Sequence, residues 1–196
     1  MERKSEIERK TKETQVRVKL NLDGSGSYKV NSGIGFLNHM LDLFSKHSLV
    51  DLEVEATGDL EIEPHHLVED VGIVLGQAVK KALGDKKGIS RYGFFEVPMD
   101  EALCRTAIDF SGRGYLVFNA EFKSEMIGEL PTEMIKHFFY SFADQAECNL
   151  HINLAYGENE HHKSEAIFKS FARALRNACA YDERSAGKVQ STKGVI

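Results

Sequence analysis

The sequence lacks the features typical of membrane, secreted and nucleic-acid-binding proteins. No apolar run approaches the roughly 18 residues that cross a bilayer. The charged N-terminal segment contains no apolar stretch of the kind found in signal peptides. The net charge is -5, whereas a nucleic-acid-binding protein usually has a basic balance. We therefore expect a cytoplasmic protein with neither a membrane nor a nucleic acid as its partner.

Cysteine is too scarce and too scattered for a disulfide framework. The three cysteines, Cys104, Cys148 and Cys179, are far apart and form no C-x-x-C pair. An odd number of distant cysteines is typical of a reduced chain whose thiols are buried. A thiolate zinc cage is disfavoured for the same reason, so any metal site would be built from imidazole and carboxylate groups.

The apolar pattern divides the chain into two similar halves. In the first half, alternation predicts strands near 16–22, 28–30 and 52–56, and helical spacing predicts helices near 36–44 and 65–83. The second half repeats this order, with strands near 93–98, 101–110, 114–122 and 150–154 and helices near 135–142 and 166–178. This organisation predicts an α+β fold with an internal duplication, in which each half is a small, about four-stranded β-sheet covered on one face by two α-helices.

Residues 1–196 are therefore expected to form a single domain made of two pseudo-symmetric repeats. The repeats span about 13–88 and 93–182, and the polar segment 183–196 is expected to be a C-terminal tail.

A His-His-x-x-Glu motif occurs once in each half, as His65-His66-x-x-Glu69 and as residues 161–165. On a helix, residues four apart share one face, so His65 and Glu69 can bind one cation together. His66 is rotated by roughly 100° from His65 and is better placed to serve another ion. Two such motifs in register predict a metal site with two ions.

His39 and His137 are two further histidines that recur in the duplicated pattern, and both are candidate ligands. His151, on a predicted strand, is a rival to His137. The sequence leaves open which histidines share an ion, and manganese, iron and zinc all suit imidazole and carboxylate ligands.

Seven strings together carry a resemblance to a known family: GFLNHML (35–41), HHLVEDVGIVLG (65–76), GISRYG (88–93), PMDEAL (98–103), DFSGRGYL (109–116), GENEHHKSEAIFKSFARALR (157–176) and STKG (191–194). They are similar to imidazoleglycerol-phosphate dehydratase, a hydro-lyase that removes water from imidazoleglycerol phosphate in histidine biosynthesis. The resemblance implies conversion to imidazoleacetol phosphate, with manganese as cofactor at two ions per active site. It also implies a homo-oligomer of about 24 subunits with sites between subunits.

The resemblance also implies roles for individual residues. The implied metal ligands are His39, His65, His66, Glu69, His137, His161, His162 and Glu165. The implied substrate contacts are Glu13, Arg91, Arg113, Ser191 and Lys193. Glu13 is the first candidate for proton transfer, with Glu69 and Glu165 as the alternatives.

Two other functions remain open from the residues alone. The first is a binuclear hydrolase that uses the same ligands to activate water. The second is a metal-storage or metal-sensing protein. In such a protein the implied substrate contacts Arg91, Arg113 and Lys193 would have no function.

Overall fold

The computed structural model describes residues 2–196 and contains ten strands and four helices in that range. The strands are β1 (Lys4–Lys10), β2 (Thr14–Asn21), β3 (Tyr28–Asn31), β4 (Asp51–Gly58), β5 (Tyr92–Met99), β6 (Ala102–Asp109), β7 (Tyr115–Asn119), β8 (Met126–Ile127), β9 (Leu130–Pro131) and β10 (Asn149–Tyr156). The helices are α1 (Gly35–Ser48), α2 (His65–Leu83), α3 (Glu133–Gln145) and α4 (Glu160–Cys179). A short 3-10 turn, Glu183–Ser185, lies in the C-terminal segment.

The two halves have the same sheet topology, which confirms the predicted duplicated α+β fold. The first sheet has the order β1-β2-β4-β3 and the second the order β5-β6-β10-β7. In both sheets the last pair, β3 with β4 and β7 with β10, is parallel, and the other pairs are antiparallel. Strand β1 precedes residue 13, where the first repeat was expected to begin.

Alternating side chains give each sheet one buried face. In β2, Val16, Val18 and Leu20 are buried, whereas Arg17 and Lys19 between them are only partly buried and form ion pairs with glutamates of β1 and β4. This period of two is what a strand with one face towards the core requires.

The helices of the two halves pack against each other between the sheets. Helix α2 contacts α3, and α1 contacts α4, in addition to the contacts that α2 and α4 make with their own sheets. Two glycines of α2 allow its close approach to α3. A Cβ on Gly72 would lie 2.7 Å from the carbonyl oxygen of Phe138, and a Cβ on Gly76 would lie 2.7 Å from the carbonyl oxygen of Phe142. This packing brings side chains from opposite halves together.

Some segments differ from the expectation. The strand expected over 114–122 ends at Asn119, and a small ribbon, β8–β9, precedes α3. The three cysteines are free and buried, as predicted. Among residues 2–196, no helix combines the length and the apolar character needed to span a bilayer.

Candidate functional site

The first imidazole–carboxylate group consists of His39, His161 and Glu165, whose ligand atoms lie within 4.8 Å of one another. Oε1 of Glu165 lies 3.0 Å from Nε2 of His39 and 2.8 Å from Nε2 of His161. Helix α4 supplies His161 and Glu165 from successive turns, as the spacing of four predicted. His39 reaches them from α1. We call these three residues the first group.

Lys169, one further turn along α4, completes the surroundings of Glu165. Its ammonium donates a hydrogen bond to Oε2 of Glu165 and also contacts Sδ of Met99. Burial raises the pKa of Glu165, but the hydrogen bonds from Lys169, His39 and His161 outweigh it and lower the pKa to about 2. Both carboxylate oxygens are therefore engaged, and the group stays ionised.

The second group consists of His65, Glu69 and His137, again with ligand atoms within 4.8 Å of one another. Helix α2 supplies His65 and Glu69, and α3 supplies His137, whose ring centroid is 4.6 Å from that of His65. Nε2 of His137 is buried and makes no hydrogen bond to any residue from 2 to 196, although Oε1 of Glu69 is 3.3 Å away. A buried nitrogen without a partner is costly unless something absent from the chain engages it.

Each group combines one histidine from one half of the chain with a His–Glu pair from the other half. His39 of the first half joins the α4 pair, and His137 of the second half joins the α2 pair. The positions of His137 and the rival candidate His151 differ in this respect. His151 lies exposed on β10, and His137 is the one gathered with the other ligand types.

The donor set of both groups fits a divalent transition metal. Two imidazole nitrogens and a carboxylate oxygen are ligands that manganese, iron and zinc accept. The unpartnered Nε2 of His137 is the observation that favours a metal, since a purely structural histidine would normally have its nitrogen satisfied.

His66 and His162, the second histidines of the two motifs, lie outside both groups. Nδ1 of His66 is 3.0 Å from Oδ2 of Asp59, and Nδ1 of His162 is 2.7 Å from Oε2 of Glu101. These hydrogen bonds raise the pKa of both histidines. The two histidines of each motif thus point in different directions, as the rotation between neighbouring helical residues predicts.

Four of the five predicted substrate contacts line one cavity of about 650 Å³, which we call the basic cavity. They are Arg91, Arg113, Ser191 and Lys193. The C-terminal segment forms one wall, where the Arg91 guanidinium donates to the carbonyl of Gln190 while it pairs with Asp109 at 2.6 Å. The cavity therefore presents three cations and a hydroxyl, a combination suited to a phosphate group.

Glu13, the fifth predicted contact, lies elsewhere, in the turn between β1 and β2. Its Oε2 is 3.9 Å from Nδ1 of His66, and its side chain is more than half exposed. All three candidate proton carriers lie near an imidazole, and Glu13 is the one that belongs to neither group. Within residues 2–196, the lining of the basic cavity includes neither Glu13 nor any predicted metal ligand.

Sequence reasoning missed several residues that support the site. Asn159 caps α4 by accepting from the backbone N–H groups of His161 and His162. Glu101, Asp59 and Lys169 contact predicted ligands, yet none belongs to a repeated pattern. An Asn just before a helical His-His pair is a recognisable N-cap signal; the other three depend on tertiary contacts.

The fold and the two groups define a duplicated α+β protein with paired imidazole–carboxylate sites of the kind that hold catalytic divalent metals. A family model described as imidazoleglycerol-phosphate dehydratase matches residues 32–175. The chain belongs to this family, and it is an enzyme.

Individual relatives match over nearly the whole chain. The imidazoleglycerol-phosphate dehydratase of Azorhizobium caulinodans is 54% identical over 194 residues, which cover 99% of this chain and 98% of that protein. The one from Acetivibrio thermocellus is 55% identical and covers 100% of both. The crystal structure of the dehydratase from Staphylococcus aureus aligns with a TM-score of 0.83 and 42% identity, over 91% of this chain and 99% of that one.

Proposed function

We propose that this enzyme is a manganese-dependent dehydratase that converts imidazoleglycerol phosphate to imidazoleacetol phosphate and water in histidine biosynthesis. The observation that carries the metal dependence is the pair of imidazole–carboxylate groups, one of which leaves a buried nitrogen of His137 without a hydrogen bond to any of residues 2–196. Membership of the family supports the reaction.

Eight residues would hold two manganese ions per active site: His39, His65, His66, Glu69, His137, His161, His162 and Glu165. When bound, divalent ions supply electrophilic stabilisation of the negative charge that develops on the substrate's imidazole ring as water leaves. Lys169 holds Glu165, and the Nε2 atoms of His39 and His161 already converge on Oε1 of that carboxylate. An ion would replace these two hydrogen bonds, and the rings would need little movement to bind it.

The basic cavity would bind the phosphate end of the substrate. Arg113 and Lys193 bring two cationic groups, and Arg91 is held in place by Asp109 on one side and the carbonyl of Gln190 on the other. Ser191 can add a hydroxyl donor. Fixing the phosphate in this way would orient the carbons that lose hydrogen and hydroxyl.

Glu13 is the residue we assign to proton transfer, because the two alternatives, Glu69 and Glu165, are the carboxylates that would bind the ions. The Glu13 carboxylate is half-exposed beside His66 and free to accept or donate a proton at Oε2. Changing Glu13 to Gln should abolish most turnover and leave the manganese content unaltered. Unchanged turnover in Glu13→Gln would refute this role.

A complete site would combine residues from more than one chain. The basic cavity has no metal ligand in its lining within residues 2–196, and His66 and His162 lie outside the two groups. We therefore propose self-association into a large homo-oligomer, in which one chain's basic cavity meets the histidines of another. Light scattering with and without manganese would measure this coupling of metal binding to assembly.

The products separate this proposal from the two alternatives. Incubation with imidazoleglycerol phosphate should give imidazoleacetol phosphate without inorganic phosphate. Release of inorganic phosphate would point to a hydrolase instead. Uptake of metal with neither product would favour a storage protein and contradict the proposal.

A further inference from the structure

The second histidine of each motif has one ring nitrogen held by a carboxylate. Nδ1 of His162 is 2.7 Å from Oε2 of Glu101, and Nδ1 of His66 is 3.0 Å from Oδ2 of Asp59. An ionised carboxylate can only accept a hydrogen bond, so the proton of each neutral ring must be on Nδ1. Nε2 then carries a free lone pair. Asp100 is the nearest carboxylate to Nε2 of His162, at 3.6 Å, which is too far for a hydrogen bond.

The two halves reach this arrangement from different places in the fold. Asp59 directly follows β4, whereas Glu101 lies in the turn between β5 and β6. In the second half, Gly157 is the residue that directly follows the corresponding strand, β10, and it has no side chain to offer. The hydrogen bond between a carboxylate and the second histidine therefore does not simply follow from the sequence duplication, because the two halves supply the carboxylate from different positions in the fold.

Glu101 is itself held rigidly. Its Oε1 accepts hydrogen bonds from the backbone N–H groups of Asn159, at 2.7 Å, and of Glu158, at 3.1 Å. These backbone hydrogen bonds and the one from His162 engage both oxygens of the Glu101 carboxylate. Oε2 is thereby aimed at His162 by the segment that begins α4.

We propose that Glu101 and Asp59 are positioning residues that keep the proton of His162 and His66 on Nδ1 and so present Nε2 to a metal ion. This inference rests on the proposed metal-dependent function. A carboxylate behind a metal-binding imidazole fixes its tautomer and orientation, and loss of such a partner typically weakens metal binding by about 10–100-fold.

Glu101→Gln is the decisive variant because it keeps the shape and reverses the hydrogen bond. The amide oxygen must stay on the backbone N–H groups of Glu158 and Asn159, since an NH₂ group there would face two donors. The NH₂ group then faces His162 and donates to Nδ1, which moves the ring proton to Nε2. We expect manganese binding to one of the two ions to weaken about 10–100-fold while the other is unchanged.

Asp59→Asn should have a smaller effect, for a reason specific to its surroundings. Oδ1 of Asp59 is buried and accepts no hydrogen bond from the described part of the chain, so no donor there prevents the new amide from turning its oxygen towards His66. The Nδ1–H tautomer of His66 would survive. Glu96→Gln serves as a matched control, because Glu96 is exposed on β5 and pairs with Arg105, at 3.3 Å, and not with a predicted metal ligand among residues 2–196.

The experiment has two readouts besides turnover. Manganese titration against a competing chelator measures the affinity of each ion. Solid-state 15N spectra of the metal-free protein, recorded above the pH range in which imidazole titrates, report which ring nitrogen carries the proton. In Glu101→Gln one imidazole should exchange its protonated nitrogen, with the unfolding midpoint of the metal-free protein unchanged.

Two results would overturn the inference in distinguishable ways. If the parent binds two manganese ions per chain and Glu101→Gln binds them equally well with the same 15N spectrum, the positioning role is wrong while the proposed function stands. If the parent binds no metal at all, the proposed function and this inference fail together.

Discussion

Gly72 is the position at which the close packing of α2 on α3 can be tested most simply. A Cβ at this position would lie 2.7 Å from the carbonyl oxygen of Phe138 and 3.1 Å from Cβ of Ser141, where ordinary contacts begin at 3.4 Å. The closer atom belongs to the backbone and cannot rotate away. The neighbouring residue along α3 is His137, so relief of the overlap would shift a member of the second group.

The expected cost of Gly72→Ala is the difference between two effects. Overpacking a core contact costs about 1–3 kcal/mol, and we take the upper part of that range, about 2–3 kcal/mol, because the overlapping oxygen belongs to the backbone. Replacing a helical glycine by alanine returns about 1 kcal/mol of helix propensity. A net loss of about 1–2 kcal/mol in the free energy of unfolding follows. For a chain of this size the fall in Tm would be roughly 2–8 °C.

Thermal unfolding of the metal-free protein and manganese titration together form the assay. We expect a lower Tm and weaker binding at the second group, with the first group unaffected because α1 and α4 hold it. Gly35→Ala is the matched control, since a Cβ there would meet only Oε2 of Glu129, at 3.6 Å. A Gly72→Ala protein that is as stable as the parent and binds manganese equally well would refute the packing argument.

Two further substitutions separate stability from substrate binding. Asp70→Ala removes the acceptor of Arg9, at 2.7 Å, and of the Thr14 hydroxyl, so it should cost about 1–3 kcal/mol in urea unfolding; an unchanged midpoint would contradict this. The Arg113 side chain makes no hydrogen bond to any residue from 2 to 196, so Arg113→Ala should raise KM by about 10–100-fold at unchanged stability. Arg91→Ala should also lower stability, because it leaves Asp109 unpaired. Equal effects of Arg91→Ala and Arg113→Ala on Tm would contradict this structural role of Arg91.

Local patterns predicted the helices and most strands because each element has a regular apolar face. The run from Val68 to Leu83 fixed α2 by its helical spacing, and the helix ends before Gly84, which has a φ of 57°. Strand β1 was not predicted, since Ser5 and Ile7 are the residues facing inward and the rest of the strand is charged. Such an edge strand is identified by its partner β2 rather than by its own composition.

The candidate site was predictable within each helix and not between helices. The spacing of His161 and Glu165 places them on one face of α4 whatever the tertiary structure. The addition of His39 to this pair depends on how α1 packs on α4, which no local pattern encodes. Glu101 is a further case, because it reaches His162 from a turn far away in the sequence.

The central claim is that the two imidazole–carboxylate groups make this enzyme a metal-dependent dehydratase. Turnover of imidazoleglycerol phosphate by metal-stripped protein, before and after addition of manganese, tests it most directly. We predict no imidazoleacetol phosphate before addition, and turnover that rises to a plateau as about two ions bind per chain. Full turnover by protein free of metal, or uptake of manganese without any turnover, would contradict the account.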